Sequence, residues 1–177
     1  MPANLSSETK RYSSCPSEAV ILTVIKALYS HPSFAGVLWY HLSRLFWVRM
    51  GNPFHGLLFI LTRIPYPLIR AFSGVDIPPS VDFGPGLWIG HFGPTVINQE
   101  ATAGRNLTIH QGTTIGLGTG GVPSLGNDVV IGAGAIIIGG IRIGSNVTIA
   151  AGAVVTRDIP DNCVAVGVLA QAIPKEE

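Results

Sequence analysis

The sequence predicts a parallel β-helix of hexapeptide repeats, preceded by an α-helical N-terminal region. The main observation is an aliphatic residue at every sixth position: Leu125, Ile131, Ile137, Ile143, Ile149 and Val155. A small or aliphatic residue follows four positions after each of these: Val129, Ala135, Ile141, Val147, Ala153 and Ile159. A helix needs apolar spacings of three and four, and a half-buried strand needs a spacing of two. A period of six is instead typical of short strands that form the faces of a triangular prism.

The repeat extends upstream with two interruptions. The same phase is held by two earlier groups: Ile77, Phe83 and Ile89, and then Ile97, Ala103, Ile109 and Ile115. Ile89 and Ile97 are eight residues apart, and Ile115 and Leu125 are ten apart. Insertions in a solenoid form projecting loops, often on the binding face. An evenly spaced β-sandwich is the alternative, but its strands recur at about 8–12 residues.

Composition supports a turn-rich β architecture, with 22 Gly, 13 Pro and 47% hydrophobic residues. The expected domains are a flexible tail (1–16), a helical region (17–73), a β-helix (74–166) and a C-terminal tail (167–177). Cys15 and Cys163 lie far apart and form no disulfide framework, which favours a reducing cytoplasm. No apolar segment directly follows basic residues at the N-terminus, so we expect no secretory signal.

Three helices are predicted in the N-terminal region. They cover residues 18–29, 32–50 and a third segment from 53 that Pro65 and Pro67 break or kink. The charge-free stretches here have at most 17 residues, between Lys26 and Arg44, and 13 between Arg49 and Arg63. Both are shorter than the ~20 residues of a spanning helix. The helices therefore either pack on the prism and on partner subunits or lie at a membrane surface, and both are compatible.

Charge is unevenly distributed along the chain. Residues 1–73 carry seven Lys or Arg and two acidic residues, whereas residues 74–177 carry four and eight. The resulting balances of +5 and −4 favour an anionic partner for the first part. The basic residues occur singly and without a stacking motif, so we expect no nucleic acid as partner.

His91 is the candidate catalytic base. It follows Ile89 by two residues and stands at the start of the first insertion. Asp76 lies fifteen residues earlier, one rung away on a prism whose turn has eighteen residues. A carboxylate that accepts the imidazole Nδ1–H leaves Nε2 free to take a proton from a hydroxyl. The alternative is a loop histidine with a backbone partner.

Other polar motifs in the repeat region give weaker indications. His110 is interpreted as structural, and two histidines do not provide a three-histidine zinc site, so we expect no metal. The Gly-rich run 115–121 fills the second insertion, where glycines allow backbone to approach a ligand closely. It has neither a GxGxxG pattern nor a Walker lysine.

Several of these segments together resemble a known family. They are residues 75–78 with His91, 111–120, 131–135 and the closing Gly167-Val168. They look like the serine acetyltransferases, which are left-handed β-helix enzymes that use acetyl-coenzyme A. The resemblance implies a homotrimer around the prism axis, in some members a dimer of trimers through the N-terminal helices.

The resemblance also implies roles for individual residues. His91 would be the general base and Asp76 its orienting partner. The residues implied for acetyl-coenzyme A are Gly118 and Thr119 along the thioester and pantetheine arm, and Ala133 and Ala151 through their backbone amides. No acyl-enzyme nucleophile is visible, so the acceptor hydroxyl would attack the thioester directly while backbone N–H groups stabilise the oxyanion.

Three departures from the family pattern concern the acceptor. Gly90 replaces the Asp of an Asp-His pair, and the loop Gly118–Ser124 has no histidine or charge. An Asp expected at the first core helix is absent around Ser17-Glu18. Because an unpaired buried charge is costly, these losses predict an acceptor that is not an amino-acid zwitterion.

The closing Pro-Ala-Arg of the family is here 169–171, Leu-Ala-Gln, which leaves Arg142 and Arg157 as weak substitutes for a phosphate-binding arginine. The leading hypothesis is an acetyl-coenzyme A-dependent O-acetyltransferase acting on a sugar of a polysaccharide or glycan precursor. Alternatives are a serine O-acetyltransferase of cysteine biosynthesis, a non-catalytic trimeric scaffold and a metal-dependent hydratase. The expected location is the cytoplasm, with peripheral contact at the inner face of the membrane left open.

Overall fold

The computed structural model describes residues 28–176, in which three helices precede a long β-coil. The helices are α1 (Pro32–Trp47), α2 (Pro53–Arg63) and α3 (Tyr66–Ser73). Proline occupies the first turn of each, where its missing N–H costs no hydrogen bond. Most of the predicted helix 18–29 lies outside the described residues. The predicted third helix is split into α2 and α3 at Pro65, as its prolines indicated.

The strands of the coil have only two to four residues each. In chain order they are β1 Val75–Asp76, β2 Asp82–Phe83, β3 Trp88–Ile89, β4 Thr95–Ile97, β5 Thr102–Ala103, β6 Thr108–Ile109, β7 Thr114–Gly116, β8 Ser124–Leu125, β9 Val130–Ile131, β10 Ile136–Ile138, β11 Arg142–Ile143, β12 Thr148–Ile149, β13 Val154–Val155, β14 Cys163–Val166 and β15 Gln171–Pro174. Each strand up to β13 is followed by a turn onto the next face of a prism.

Up to β13, every third strand joins the same sheet. Sheet A has the order β1-β4-β7-β10-β13, sheet B β11-β8-β5-β2 and sheet C β15-β14-β12-β9-β6-β3. Pairing is parallel throughout, except where β15 runs antiparallel to β14. The fold is a left-handed β-helix of about five turns, which confirms the predicted fold class.

The six-residue period marks the inward side chains of the coil. The fully buried members include Ile89, Ile109, Ile131, Ile137, Ile143 and Ile149, each 0% exposed. One aliphatic residue per strand therefore forms a continuous core along the prism axis. The two interruptions in the period become loops, residues 90–94 between β3 and β4 and residues 117–123 between β7 and β8.

The helices attach to the first turns of the coil. In α1, the Ser33 hydroxyl donates to the Ile89 carbonyl at 2.8 Å, and the Tyr40 hydroxyl donates to the Val81 carbonyl at 3.0 Å. Gly74 ends α3 in the left-handed conformation, with φ 71°, and leads directly into β1. This close connection fixes α3 beside the start of sheet A. No helix within the described range 28–176 is long and apolar enough to cross a membrane.

Candidate active site

Two edges of the prism differ in how they turn the chain. The Gly corner joins sheet C to sheet A and consists of residues 90–94, 110–113, 132–135 and 150–153. The Asx corner joins sheet B to sheet C and carries Asn106, Asp128, Asn146 and Asn162. Both corners contain residues with positive φ, which are glycines at the Gly corner and, apart from Gly86 in the first turn, Asn or Asp at the Asx corner.

His91, Ala133 and Ala151 all lie on the Gly corner. Ile89 pairs with Ile109, so His91 follows the same strand pair into the corner as Gln111. The Gly134 amide donates to the Gln111 carbonyl at 2.9 Å, and the Gly152 amide donates to the Ala133 carbonyl at 2.8 Å. The exposed His91 therefore stands at one end of a column that continues through the two alanines.

Gly118 and Thr119 lie at the opposite border of sheet A. Gly118 and Gly121 exchange backbone hydrogen bonds of 3.0 and 3.2 Å, which closes a tight turn in the loop 117–123. A Cβ on Gly118 would lie 2.8 Å from the Gly139 nitrogen, so a larger residue does not fit there. The exposed Thr119 accepts a hydrogen bond from Gly140 through its carbonyl. Sheet A thus separates the predicted thioester-binding loop from the Gly corner.

Asp76 lies in β1 but is not hydrogen-bonded to His91. Its Oδ1 accepts a 2.5 Å hydrogen bond from the Tyr66 hydroxyl, and its Oδ2 accepts one of 3.0 Å from Arg70 Nη1. Within residues 28–176, no hydrogen bond or ion pair joins Asp76 to His91, so the predicted pair is not formed in this conformation. The catalytic roles of the two residues stay predictions.

The two predicted catalytic residues nevertheless belong to neighbouring segments. A Cβ on Gly74 would lie 2.7 Å from the Gly93 carbonyl oxygen, so β1 and the loop 90–94 touch at this point. Asp76 also lines a cavity with Phe92, the residue after His91. The segments that carry His91 and Asp76 are therefore adjacent.

Tyr66 and Arg70 are residues that the sequence interpretation missed. Burial, together with the hydrogen bond to the Asp76 carboxylate, raises the pKa of the Tyr66 phenol well above its ordinary value. The phenol is therefore a permanent donor to Asp76 at neutral pH. Tyr66 and Arg70 are four residues apart, on one face of a helix that ends just before Asp76. This spacing of four is visible in the sequence. It does not by itself indicate a contact with Asp76, because that contact depends on the turn at Gly74.

Gly90, the position where the family pattern has Asp, is enclosed by aromatic rings. A Cβ on Gly90 would lie 2.9 Å from Trp88 Cη2 and 3.2 Å from His110 Nδ1. The rings of Trp88 and His110 themselves meet edge to face, with centroids 5.4 Å apart. Trp88 therefore occupies the space beside Gly90 into which a side chain at this position would extend. His110 packs against Trp88.

Metal ligation has no candidate cluster in the described part of the chain. No group of three His, Cys, Asp or Glu side chains there is arranged to hold an ion. Arg142, one of the two proposed phosphate-binding substitutes, borders a separate cavity with Asp158 and Asp161. Two carboxylates beside it make that cavity a poor place for a phosphate.

Known proteins are similar to this chain in both sequence and fold. The family model "Bacterial transferase hexapeptide (six repeats)" matches residues 123–157. A serine acetyltransferase of Helicobacter pylori strain J99 is 35% identical over 156 residues, which are 85% of this chain and 86% of that protein. This chain belongs to the serine acetyltransferase family. The resemblance inferred from the motifs is therefore confirmed.

Longer members of the family match over part of their length. The serine acetyltransferase of Synechococcus elongatus is 36% identical over 154 residues, 84% of this chain and 60% of that protein. This chain spans 60% and 66% of the length of the first two curated relatives that it matches.

Solved serine acetyltransferase structures share the arrangement of helices and coil. The Neisseria gonorrhoeae structure has a TM-score of 0.75 at 29% identity and covers 97% of this chain and 64% of that one. A Brucella abortus structure in complex with coenzyme A has a TM-score of 0.75 at 27% identity, with coverages of 98% and 67%.

The prediction of a sugar acceptor is wrong, because the relatives and solved structures are named serine acetyltransferase. That prediction depended on three departures from the family pattern, among them the absence of charge in the loop Gly118–Ser124. It treated this loop as the source of the charges that bind the acceptor. Arg70 and Asp76 provide an oppositely charged pair at a different place, between α3 and β1.

Proposed function

We propose that this protein is a serine O-acetyltransferase that transfers the acetyl group of acetyl-coenzyme A to the hydroxyl of L-serine. The observation that carries the proposal is the match to a serine acetyltransferase over 86% of that protein's length. The position of His91, exposed at the Gly corner next to a cavity, supports it.

In the proposed reaction His91 acts as general base. It takes the proton of the serine hydroxyl, whose oxygen attacks the thioester carbonyl carbon. The new O–C bond forms and the C–S bond breaks, and the thiolate leaves with the proton that His91 returns. The products are O-acetylserine and the coenzyme A thiol. Proton transfer of this kind contributes about 10²- to 10⁴-fold to the rate.

Asp76 is proposed to orient the imidazole. A carboxylate offers about four lone-pair sites, and Tyr66 and Arg70 use two of those on Asp76. Asp76 therefore keeps lone pairs that can accept the Nδ1–H of His91 after the His91 side chain changes rotamer. The hydrogen bonds from Tyr66 and Arg70 hold the carboxylate in place when it accepts this proton donor.

Acetyl-coenzyme A is proposed to bind along sheet A, between the Gly corner and the loop 117–123. The side chains of Ala133 and Ala151 are small, so a ligand can approach the backbone N–H groups of this corner. Gly118 and Thr119 border the opposite side. The outward residues between them are mostly apolar and partly exposed, Val96 by 49% and Ile136 by 37%, with Thr114 between these two.

That apolar face also supports a homotrimer, in which a neighbouring prism covers sheet A and completes the coenzyme groove. Burial of apolar side chains between copies is favourable in the same way as core formation. A dimer of trimers through the helices and a location in the cytoplasm belong to the same proposal.

A thiol-release assay tests the proposed activity. The full chain is incubated with acetyl-coenzyme A and either L-serine or a set of monosaccharides, and the product is identified by mass spectrometry. We expect O-acetylserine to form at a rate far above thioester hydrolysis, with no acetylated sugar. Thiol release that L-serine does not stimulate would refute the function.

A further inference from the structure

A serine acceptor requires partners for two charges. L-serine carries an α-carboxylate and an α-ammonium, and enclosing either without a partner is costly. The loop Gly118–Ser124 carries no charged residue. Under the proposed function, on which this inference depends, another part of this chain must provide the two opposite charges.

A cavity of about 490 Å³ lies where α3, β1 and the loop 90–94 meet. Its lining includes Pro67, Arg70, Ala71, Asp76, Phe92 and Val96. Arg70 is the cation in this lining and Asp76 is the carboxylate. Phe92 follows His91 directly, so the cavity lies next to the predicted base.

Both charged groups keep unused hydrogen-bonding capacity. Arg70 donates to Asp76 through Nη1, and a guanidinium has five N–H groups. The side chains are 55% and 33% exposed, so a ligand can reach them. A planar guanidinium binds a carboxylate through two parallel hydrogen bonds. Of the two remaining lone-pair sites of Asp76, the one that is not assigned to His91 suits an ammonium.

The pair is held in place by the residues around it. The Tyr66 hydroxyl donates to Asp76 Oδ1, and the Arg63 guanidinium lies over the Tyr66 ring, 4.2 Å from its centroid. Arg70 and Tyr66 both belong to α3, which Gly74 joins to β1 without an intervening loop. A rigid positive and negative end, side by side, matches the charges of a small zwitterion.

We propose that this cavity binds the amino-acid acceptor, with Arg70 on the α-carboxylate and Asp76 facing the α-ammonium. Arg70 is then a specificity-determining residue supplied by the helical region instead of the second loop. Tyr66 is a positioning residue that acts through Asp76.

The test compares two acceptors that differ in one charge. L-serinamide keeps the hydroxyl and the ammonium of L-serine but lacks the carboxylate. In the Arg70→Gln variant we expect KM for L-serine to rise about 10- to 100-fold and KM for L-serinamide to rise much less, because both acceptors use Asp76 but only L-serine offers a carboxylate to the guanidinium. Arg70→Lys is expected to restore part of the loss, because a lysine keeps the charge without the planar fork.

Arg49→Gln is the matched control. Arg49 is an exposed arginine of the same helical region that donates to the Leu45 carbonyl and does not line the cavity. It should leave both KM values as in the parent. Circular dichroism and the melting temperature of Arg70→Gln establish that the fold is retained.

The outcomes separate this inference from the proposed function. If the parent acetylates L-serine and Arg70→Gln has an unchanged KM for it, the inference is overturned and the function stands. If the parent does not acetylate L-serine, the function fails, and binding of L-serine is measured directly by calorimetry. Binding that is lost in Arg70→Gln would then support the site, and equal or absent binding in both proteins would overturn it.

Discussion

The Gly corner and the Asx corner have the same backbone requirement and meet it with different side chains. At the Asx corner Asn106, Asp128, Asn146 and Asn162 have φ between 55° and 58°. At the Gly corner Gly112, Gly134 and Gly152 have φ between 69° and 77°. Asn and Asp are the non-glycine residues that tolerate this conformation best.

The two solutions leave different surfaces. The Asx side chains bond to one another along the corner, Asn106 to Asp128 at 2.8 Å and Asn146 to Asn162 at 2.9 Å. Lys175 extends the second pair by donating to Asn146 at 3.0 Å. Nothing lies within 4 Å of a Cβ built on Gly134 or Gly152. The Asx corner stabilises the coil, whereas the Gly corner leaves room for ligands.

The largest effect is expected from His91→Asn at the Gly corner. Loss of the general base should lower kcat about 10²- to 10⁴-fold with little change in melting temperature, because the side chain is exposed. His110→Asn is the control, since His110 packs against Trp88 and has no role in the proposed reaction. Steady-state kinetics with L-serine measure both. Equal activity of parent and His91→Asn would remove the catalytic difference between the corners.

Gly134→Asn places at the Gly corner the residue type that forms the turns of the Asx corner. Asparagine accepts the backbone conformation and meets open space, so the fold should be retained. Its side chain would project beside Ala133, and we expect KM for acetyl-coenzyme A to rise about tenfold, or about 1.4 kcal/mol. Titration of acetyl-coenzyme A at saturating acceptor measures it. An unchanged KM would show that the coenzyme does not use this corner.

Asn146→Ala tests the Asx corner in the opposite direction. The variant loses bonds to Asn162 and Lys175, and alanine tolerates the left-handed conformation of this position less well than asparagine. The free energy of unfolding should fall by about 1–3 kcal/mol, with unchanged kinetics. Asn146→Gly should lose less, since glycine adopts this conformation freely. Urea unfolding compares the three proteins, and a loss of activity without a loss of stability would contradict the division of roles.

Tyr66→Phe is expected to have the smallest effect, because it removes only the hydroxyl that donates to Asp76 beside the loop 90–94 of the Gly corner. The raised pKa of the phenol means that its contribution to stability is fully present below the ordinary tyrosine pKa of about 10 and is lost as pH rises through the folded value. The parent should therefore lose stability above about pH 10 more steeply than the variant. Unfolding midpoints at pH 7 and in the alkaline range measure the difference. Parallel curves would show that the pKa of Tyr66 is not raised in the folded protein.

The sequence predicted the coil well because one side chain per strand determines it. Ile131, Ile137 and Ile143 are spaced by the fold itself, and the breaks in that spacing located both loops. His91, Ala133 and Ala151 could be placed on one corner by the same count. Because the period is strict, the position of a residue in the sequence gives its position in the coil.

The charges of the proposed acceptor site could not be predicted in this way. Arg70 and Tyr66 belong to a helix outside the repeat, and their contact with Asp76 depends on the left-handed turn at Gly74. The absence of charge in the loop Gly118–Ser124 was read correctly, but the inference drawn from it was wrong. Local pattern does not show which charges a neighbouring element supplies.

The last segment of the chain has a consequence for self-association. A stack of parallel strands can in principle go on growing by adding further copies end to end, and unpaired strand edges invite this. Here β15 reverses direction on β14, while the Ala170 amide donates to the Val154 carbonyl at 2.8 Å. Residues 167–174 therefore cover the final strands of sheets A and C, so a further copy cannot add a parallel strand directly to β13 or β14.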